Sequence, residues 1–400
     1  MKPAPLSGVR VVEVGNFMAA PFLTLQLADL GADVVKVENP AGGDQVRTAA
    51  PFIDGESSAF IRLNRNKRSL ALDLKAQEGK SVFRKLVARA DVLVENLRPG
   101  TMADLELDYP RLSAQHPRLV YVAASGWGQD GPYAQRPGLD IMAQGMSGLM
   151  SITGEEGGQA PVKIGVPVTD LTCALWGALA AVAALRVRDQ TGRGQLIDVS
   201  LFEAGVALAV WEAGRYFATG EVPKPLGSSH QTSAPYQALR AKDGFFTAGA
   251  TTAPNWLAFC KALGRPELAE DPRFAKGHVR YQNRHALIPL IEEVTGKETS
   301  RHWVEVLQEA GVPCGLLQTY DQVFNDPHLN ARNFFPEAPH TRLGAVKQVA
   351  SPMRFSETPT RMDRAGPLLG EHSSEVLLEL GYDPEQIRAL YAAKVIGKPA

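Results

Sequence analysis

Apolar positions in the N-terminal quarter of the chain come as short β-rich runs separated by stretches with helical spacing. Residues 9–14 (VRVVEV) and 33–38 (DVVKVE) are Val-rich runs of strand length, and residues 21–30 between them read as a helix that stops at Gly31. The alternation then repeats. Residues 77–90 collect their apolar side chains on one helical face, 91–95 (DVLVE) form a strand, and 119–123 (LVYVA) form another. Strands alternating with helices predict a parallel sheet covered on both faces, a doubly wound α/β domain.

From 126 to 165 the pattern dissolves into loops, with GWGQDGP at 126–132, RPGLD at 136–140 and GEEGG at 154–158. Residues 171–188 predict a long helix rich in Ala and Leu, with Thr169 or Asp170 near its N-cap. The TGRGQ turn at 191–195 leads into a strand at 196–199, and a helix follows at about 206–219. The Gly-, Pro- and Ser-rich span 220–235 marks a domain crossing. Beyond it, 236–240 and 245–248 flank an AKDG turn and read as a hairpin, with helices at 255–263 and 283–294. The chain turns irregular near Val312, and PLLGEH at 367–372 precedes a last helix at 374–380. The expected organisation is a large α/β domain over 1–225, a smaller α+β domain over 226–330, and a segment, 331–400, that returns to the first.

Composition narrows what such a protein does. Four hundred residues exceed one ordinary core, while 44% hydrophobic and 21% charged residues describe a folded globular chain. Forty-two Lys and Arg against 43 Asp and Glu leave no field for nucleic acid or an anionic membrane, so neither is expected as a partner. Any anionic ligand is then captured locally. Cys173, Cys260 and Cys314 are too few and scattered for a disulfide framework or a metal site, which points to a reducing cytoplasm. Residues 1–12 offer Lys2 but no signal-like apolar core, and the longest apolar stretch, 173–185, is shorter than a membrane span. The turn after the first strand reads Gly15-Asn16-Phe17-Met18-Ala19-Ala20, without GxGxxG, and no P-loop occurs, so dinucleotide and nucleotide chemistry lose their motifs.

Among candidate chemical groups Asp170 is the sharpest. A carboxylate at a helix start feels the positive end of the dipole, stays ionised and can serve as a nucleophile, although a plain N-cap is the commoner role. Asp140 is a second carboxylate, in a loop where a structural role is also common. Arg98, Lys67 and Arg68 could bind phosphates at strand ends, where open α/β sheets place ligands, against the commoner reading as solvated cations. His230 is the one histidine in a Gly/Ser-rich loop. Cys173 lies one turn beyond Asp170 without a base partner and is set aside as a nucleophile.

Taken together these segments resemble the family III CoA-transferases, with acyl-CoA racemases as relatives. The carriers are LADLGADVVKVENPAGGD at 27–44, LNRNKRSLALDLK at 63–75, ADVLVENLRPG at 90–100, SGWGQDGP at 125–132, PVTDL at 167–171, TGRGQ at 191–195 and PLLGEH at 367–372. The resemblance spans nearly the whole chain. It implies a Rossmann-like large domain with a small domain in an interlocked, ring-like homodimer. It further implies a transferase that moves CoA between an acyl-CoA and a free carboxylic acid, with coenzyme A as substrate and no resident cofactor or metal. The nucleophile would be Asp170, with Asp140 and His230 in support. CoA contacts would fall on Leu72, Asp73, Leu74 and Lys75, on Asn96, Leu97 and Arg98, and on Arg136 to Leu139.

Three departures refine this implication. The formyl-CoA branch carries a glycine loop where residues 227–231 read GSSHQ, and an early glutamine where Met18 stands, so a formyl/oxalyl pair is not expected. The span 227–244 resembles the dicarboxylate-using branch, which implies a dicarboxylate acceptor with succinyl-CoA as donor and Arg47 or His230 for the second carboxylate. Racemase relatives carry a histidine where Leu139 precedes Asp140, and racemisation needs two opposed acid/base groups. A racemase or epimerase and a non-catalytic acyl-CoA binder remain the alternatives.

Overall fold

The computed structural model describes residues 3–397; Met1 and Lys2, weighed above as part of a leader, lie outside the described residues. The chain divides into two compact units. The first comprises residues up to Leu149, Lys163–Gly220 and the chain from Pro327 onward; the second comprises Met150–Val162 and Glu221–Asp326. The segment Met150–Val162 groups with the second unit because Gly154 accepts the Gly227 N–H at 2.9 Å and Glu156 pairs with Arg284 at 3.2 Å.

The first unit is built on six parallel strands: β1 (Arg10–Val14), β2 (Asp33–Glu38), β3 (Lys67–Ala71), β4 (Val92–Glu95), β5 (Val120–Ser125) and β6 (Leu196–Ser200). Their order is β3-β2-β1-β4-β5-β6, the doubly wound arrangement with its switch point between β1 and β4. Alternation along the strands sends Val11, Val34, Val92, Val94, Val120 and Val122 to one face, where they meet α1 (Ala19–Asp29) and later the long apolar helix. Val12, Val35 and Leu93 face the other layer, under α2 (Gln77–Val87) and the C-terminal helices Ser373–Glu379 and Pro384–Ala392.

Strand β3 was not expected, because its sequence opens with Lys67 and Arg68. Both are buried, each for an electrostatic reason. Glu13, fully buried on the central strand, accepts Lys36 Nζ at 2.6 Å on one oxygen, and Lys67 Nζ at 2.9 Å and the Thr24 hydroxyl at 2.6 Å on the other. Lys36 also meets Asp44 at 2.9 Å and donates to the Gly15 carbonyl at 2.8 Å. Arg68 is held by Asp33, Glu375 and Glu379. Both charged ends are consumed by buried or paired carboxylates and carbonyls, so both residues are structural cations; the phosphate-binding reading of the pair is corrected.

The PLLGEH and TGRGQ motifs also resolve into packing. The Ser69 hydroxyl accepts the Gly370 N–H at 2.9 Å and the Ser69 carbonyl accepts the His372 N–H at 3.0 Å, so the returning tail covers the β3 edge. Gly194 passes so near Leu119 that a Cβ would lie 2.0 Å from its carbonyl oxygen, a place only glycine fits.

The second unit carries an antiparallel sheet ordered β9-β8-β7, with β7 (Tyr236–Ala241), β8 (Gly244–Gly249) and β9 (Cys314–Leu316). Trp256, Phe259, Leu287, Ile291, Trp303 and Leu307, from helices Ala253–Ala262, Arg284–Thr295 and Ser300–Glu309, close its core. The hairpin matches its sequence reading, whereas β9 and the helix Ser300–Glu309 were not foreseen.

Strength of the buried cluster is testable. Glu13→Gln leaves two buried ammonium groups without their shared counter-charge, and we expect a loss of about 3–5 kcal/mol in urea unfolding. An unchanged midpoint would show the cluster to be incidental. The Glu13 carboxyl is held down at about 2 because the two lysines outweigh its burial. Its stabilisation is therefore complete above the ordinary value of 4.5 and is lost as pH falls through about 2.

Candidate active site

Helix α4 (Val168–Thr191) begins one turn earlier than its hydrophobic run suggested, with Pro167 at the N-cap. Thr169 and Asp170 therefore sit inside the first turn and not at the cap, and the cap's work is done by another residue. Asp140, the first residue of α3 (Asp140–Met146), accepts the Thr169 N–H at 3.0 Å and the Thr169 hydroxyl at 2.7 Å on Oδ1. Its Oδ2 accepts Gln144 Nε2 at 2.7 Å, and Gln144 Oε1 in turn accepts the Ile164 N–H at 2.9 Å. Asp140, Gln144 and Thr169 together fix the first turn of α4, which carries Asp170. Gln144 was missed in the sequence, although its place four residues after Asp140 on a helix is a readable signal.

Asp170 is half-buried, and among the described residues no group hydrogen-bonds its carboxylate. Burial first, and then the neighbouring Asp140 carboxylate, push it up to about 7. This corrects the expectation that the helix dipole keeps it fully ionised: Asp140 takes an N–H of that first turn and adds a like charge. Cys173 beyond it is fully buried, with burial raising its thiol pKa, and has no access to chemistry.

The start of α4 belongs to the C-terminal edge of the sheet. Cys173 packs with Ala19 at the head of α1 and Ala124 near the end of β5, whereas at the other end of α4 Arg188 pairs with Asp91, the residue before β4, at 2.6 Å. The same edge carries three other expected segments, which follow β3, β4 and β5. After β3, Leu72 is core and bridges to Ile396, so only its backbone is available; Leu74 packs against the core as well. Asp73 accepts the Lys75 N–H at 2.9 Å and leaves the Lys75 side chain exposed.

After β4, Asn96 spends both ends of its amide on the backbone of Asn16, at 3.0 and 2.9 Å, and so braces the β1–α1 turn. Leu97 is half-buried, and its N–H donates to Glu95 at 2.7 Å. Arg98 is exposed and donates to the Gln135 carbonyl at 2.6 Å. After β5, Arg136 lies over the Tyr133 ring at 3.9 Å and Leu139 is exposed. Lys75, Arg98 and Arg136 are thus three cations presented to solvent on one edge. Glu95, which the sequence reading passed over, is buried at the end of β4 and pushed up to about 7, chiefly by burial.

Two other candidates are placed elsewhere. Arg47 is held bidentately by the buried Glu38, at 2.7 and 2.8 Å, and lies over Phe60, so it is not a substrate cation. His230 belongs to the second unit, where its ring packs on Tyr236 with 4.9 Å between centroids. Among the described residues no cluster of His, Cys, Asp and Glu is arranged to hold a metal ion. Helix α4 is long and apolar enough to cross a membrane by length and composition, which the shorter 173–185 run had not indicated; 44% of that window is buried.

The coupling between the two carboxylates has a direct test. Asp140→Asn removes the like charge while leaving burial in place, so the Asp170 titration, followed by 13C NMR of labelled aspartate, is expected to move down by about one unit. A midpoint that stays near 7 would assign the shift to burial alone.

Comparison with known proteins gives these positions their context. The family model for CoA-transferase family III matches residues 6–373. Human succinyl-CoA:glutarate CoA-transferase is 36% identical over 394 residues, which cover 98% of this chain and 90% of the relative. Succinate–glutarate CoA-transferase of Agrobacterium fabrum is 38% identical over 383 residues, covering 94% and 96%. The crystal structure of a CAIB/BAIF family protein from Brucella suis superposes with a TM-score of 0.85 at 38% identity, covering 95% of this chain and all of that one. A family model over nearly the whole chain, full-length relatives at 36–38% identity and a solved structure of the same architecture agree, and the chain belongs to CoA-transferase family III.

Proposed function

We propose that Asp170 is the group that carries CoA from succinyl-CoA to a free dicarboxylic acid. The reading is carried by one observation: a half-buried carboxylate without a hydrogen-bond partner among the described residues, on the edge that also presents Lys75, Arg98 and Arg136. An unsolvated, unpartnered carboxylate is a stronger nucleophile than one bound by donors. Succinyl-CoA and glutarate appear in the names of the human relative and succinate with glutarate in the bacterial one, which supports a dicarboxylate pair here.

In this mechanism the Asp170 carboxylate attacks the thioester carbonyl of the donor. The carbon–sulfur bond breaks, leaving a mixed anhydride and CoA thiolate. The thiolate then attacks the aspartyl carbonyl of the anhydride, forming an aspartyl-CoA thioester and releasing the donor acid as its carboxylate. The acceptor carboxylate attacks that thioester and again expels CoA thiolate. A final thiolate attack on the acceptor's acyl carbon gives the new acyl-CoA and restores Asp170. Each step exchanges one acyl bond for another of similar energy and needs no electron transfer. The positive end of α4 favours the developing oxyanions, and Asp140 with Gln144 keeps the first turn in place.

CoA itself is proposed to lie along the edge, with Lys75, Arg98 and Arg136 facing its phosphates. Backbone groups at Leu72 and Asp73, the braced turn of Asn96 and Leu97, and the exposed Leu139 line its length, with Leu74 supporting the β3 turn from the core. Exposed Leu175, Trp176 and Leu179 on α4, with Val210, Trp211 and Phe217 on the helix Val210–Thr219, support burial against a second copy in an interlocked homodimer. Three free cysteines support a reducing, cytoplasmic setting.

Intact-mass spectrometry after incubation with succinyl-CoA is the experiment that tests the reading. We expect a hydroxylamine-sensitive adduct that maps to Asp170, and Asp170→Ala turnover reduced by about 1,000-fold or more. Near-normal turnover by Asp170→Ala would overturn the assignment, and α-proton exchange without CoA transfer would replace it with racemase chemistry. Arg98→Ala and Lys75→Ala are expected to raise the acyl-CoA KM by about 3- to 10-fold with kcat little changed, because phosphate binding is uniform along the reaction.

A further inference from the structure

Trp127 is a buried residue of the C-terminal edge that the mechanism above does not use. It lies in the loop that leaves β5, inside the SGWGQDGP motif, and is 9% exposed. Two aromatic rings meet it edge-on: Phe202, of the helix Leu201–Leu208, at 5.7 Å between centroids, and Tyr133, of the following loop, at 6.1 Å. The Phe202 N–H also donates to the Gly126 carbonyl at 3.2 Å, so the start of the loop is tied to the same helix. An indole has one polar atom, a donor, and here it is spent inside the loop: Nε1 donates to the Pro137 carbonyl at 3.3 Å.

That carbonyl belongs to the segment 136–139, and both ends of the segment carry charge. At one end the Arg136 guanidinium lies over the Tyr133 ring at 3.9 Å, and Tyr133 is itself in contact with Trp127. At the other end Leu139 precedes Asp140, whose Oδ1 accepts the Thr169 N–H and hydroxyl at the start of α4. Among the described residues the indole N–H makes the only side-chain hydrogen bond to residues 136–139. The backbone beside it has no slack. A Cβ on Gly126 would lie 3.1 Å from the Gly138 Cα, and one on Gly138 would lie 2.9 Å from Trp127 Nε1. Two glycines let the loops cross in contact, and the indole both fills the crossing and bonds it.

The consequence is mechanical. A ring held between two aromatic neighbours at the end of a sheet strand is a fixed point, and Pro137 is fastened to it. From Pro137 the chain runs one residue back to Arg136 and three residues on to Asp140. A shift at the carbonyl therefore reaches a cation of the edge and the cap of α4 together, and small misplacements of such groups are costly in a reacting site.

We infer that Trp127 is a positioning residue for the transferase site, holding Arg136 and Asp140 in one geometry through the Pro137 carbonyl. That Arg136 and Asp170 act on acyl-CoA rests on the transferase reading above; that Trp127 places Asp140 against the start of α4 does not. Trp127 acts through these residues and needs no contact with substrate.

Two variants of the whole chain test the inference. Trp127→Phe keeps an aromatic ring and removes the N–H, whereas Gly138→Ala drives a Cβ against the indole without changing it. In both, 13C NMR of labelled aspartate is expected to show the Asp170 titration moved down, part of the way to that of Asp140→Asn, because a displaced Asp140 brings less like charge and releases the Thr169 N–H. With succinyl-CoA and glutarate, kcat is expected to fall about 5-fold and the acyl-CoA KM to rise about 3-fold. Adding Asp140→Asn to Trp127→Phe is expected to cost less in kcat than the product of the two separate losses. Urea midpoints identify a variant that has not folded, and the other then carries the test. An unmoved Asp170 midpoint, unchanged kinetics in both variants, or losses that multiply independently with Asp140→Asn would each overturn the role and leave Trp127 as packing alone. The titration needs no turnover, so it decides the tie between Trp127 and Asp140 even if covalent trapping fails at Asp170.

Discussion

The sheet depends on a carboxylate that has no access to water. Glu13 sits on the central strand with two lysine ammonium groups at hydrogen-bond distance, one from β2 and one from β3. An isolated charge at that depth would be strongly unfavourable, so the three strands are locked in the one register that brings the three groups together. The consequence reaches the functional edge. Lys36 also holds the Gly15 carbonyl and Asp44, and Asp44 accepts the Phe17 N–H at 3.1 Å, so the turn that opens α1 is fixed from beneath. Asn96 completes that bracing from β4. The floor of the C-terminal edge is a single electrostatic unit, and the cations above it stand on rigid turns.

Against this rigid floor Asp170 is poised by subtraction. A first-turn aspartate would ordinarily be stabilised as the anion by backbone donors and by the dipole. Here Asp140 has taken the Thr169 N–H, and its charge faces the same helix start. The carboxylate is left poorly solvated and titrates near neutrality. A group in that condition changes between neutral and anionic forms at little energetic cost, which suits the nucleophilic role proposed for it. The two carboxylates differ accordingly: Asp140 binds the start of the helix, whereas Asp170 has no hydrogen-bond partner among the described residues.

Much of the doubly wound unit was legible because its signals are local. Val-rich runs alternating with helices declare a parallel sheet, and the PVTDL segment places an aspartate where a long apolar helix begins. What could not be read was every feature created by burial. Lys67, Arg68 and Arg47 look like ligand-binding cations in sequence, yet each is consumed by a carboxylate distant along the chain, Glu13, Asp33 or Glu38. The same holds for Leu72, whose side chain vanishes into the core beside Ile396. Strand β9 was hidden because three residues make too short a pattern to show a period.

The sequence by itself determined the fold class and the family, because hydrophobic period and ordered motifs are properties of neighbouring residues. Tertiary structure alone decided which charges are structural and which face solvent, and that Asp140 and not Asp170 caps α4. Those outcomes depend on desolvation and on partners brought together from distant positions, and neither quantity exists until the chain has folded.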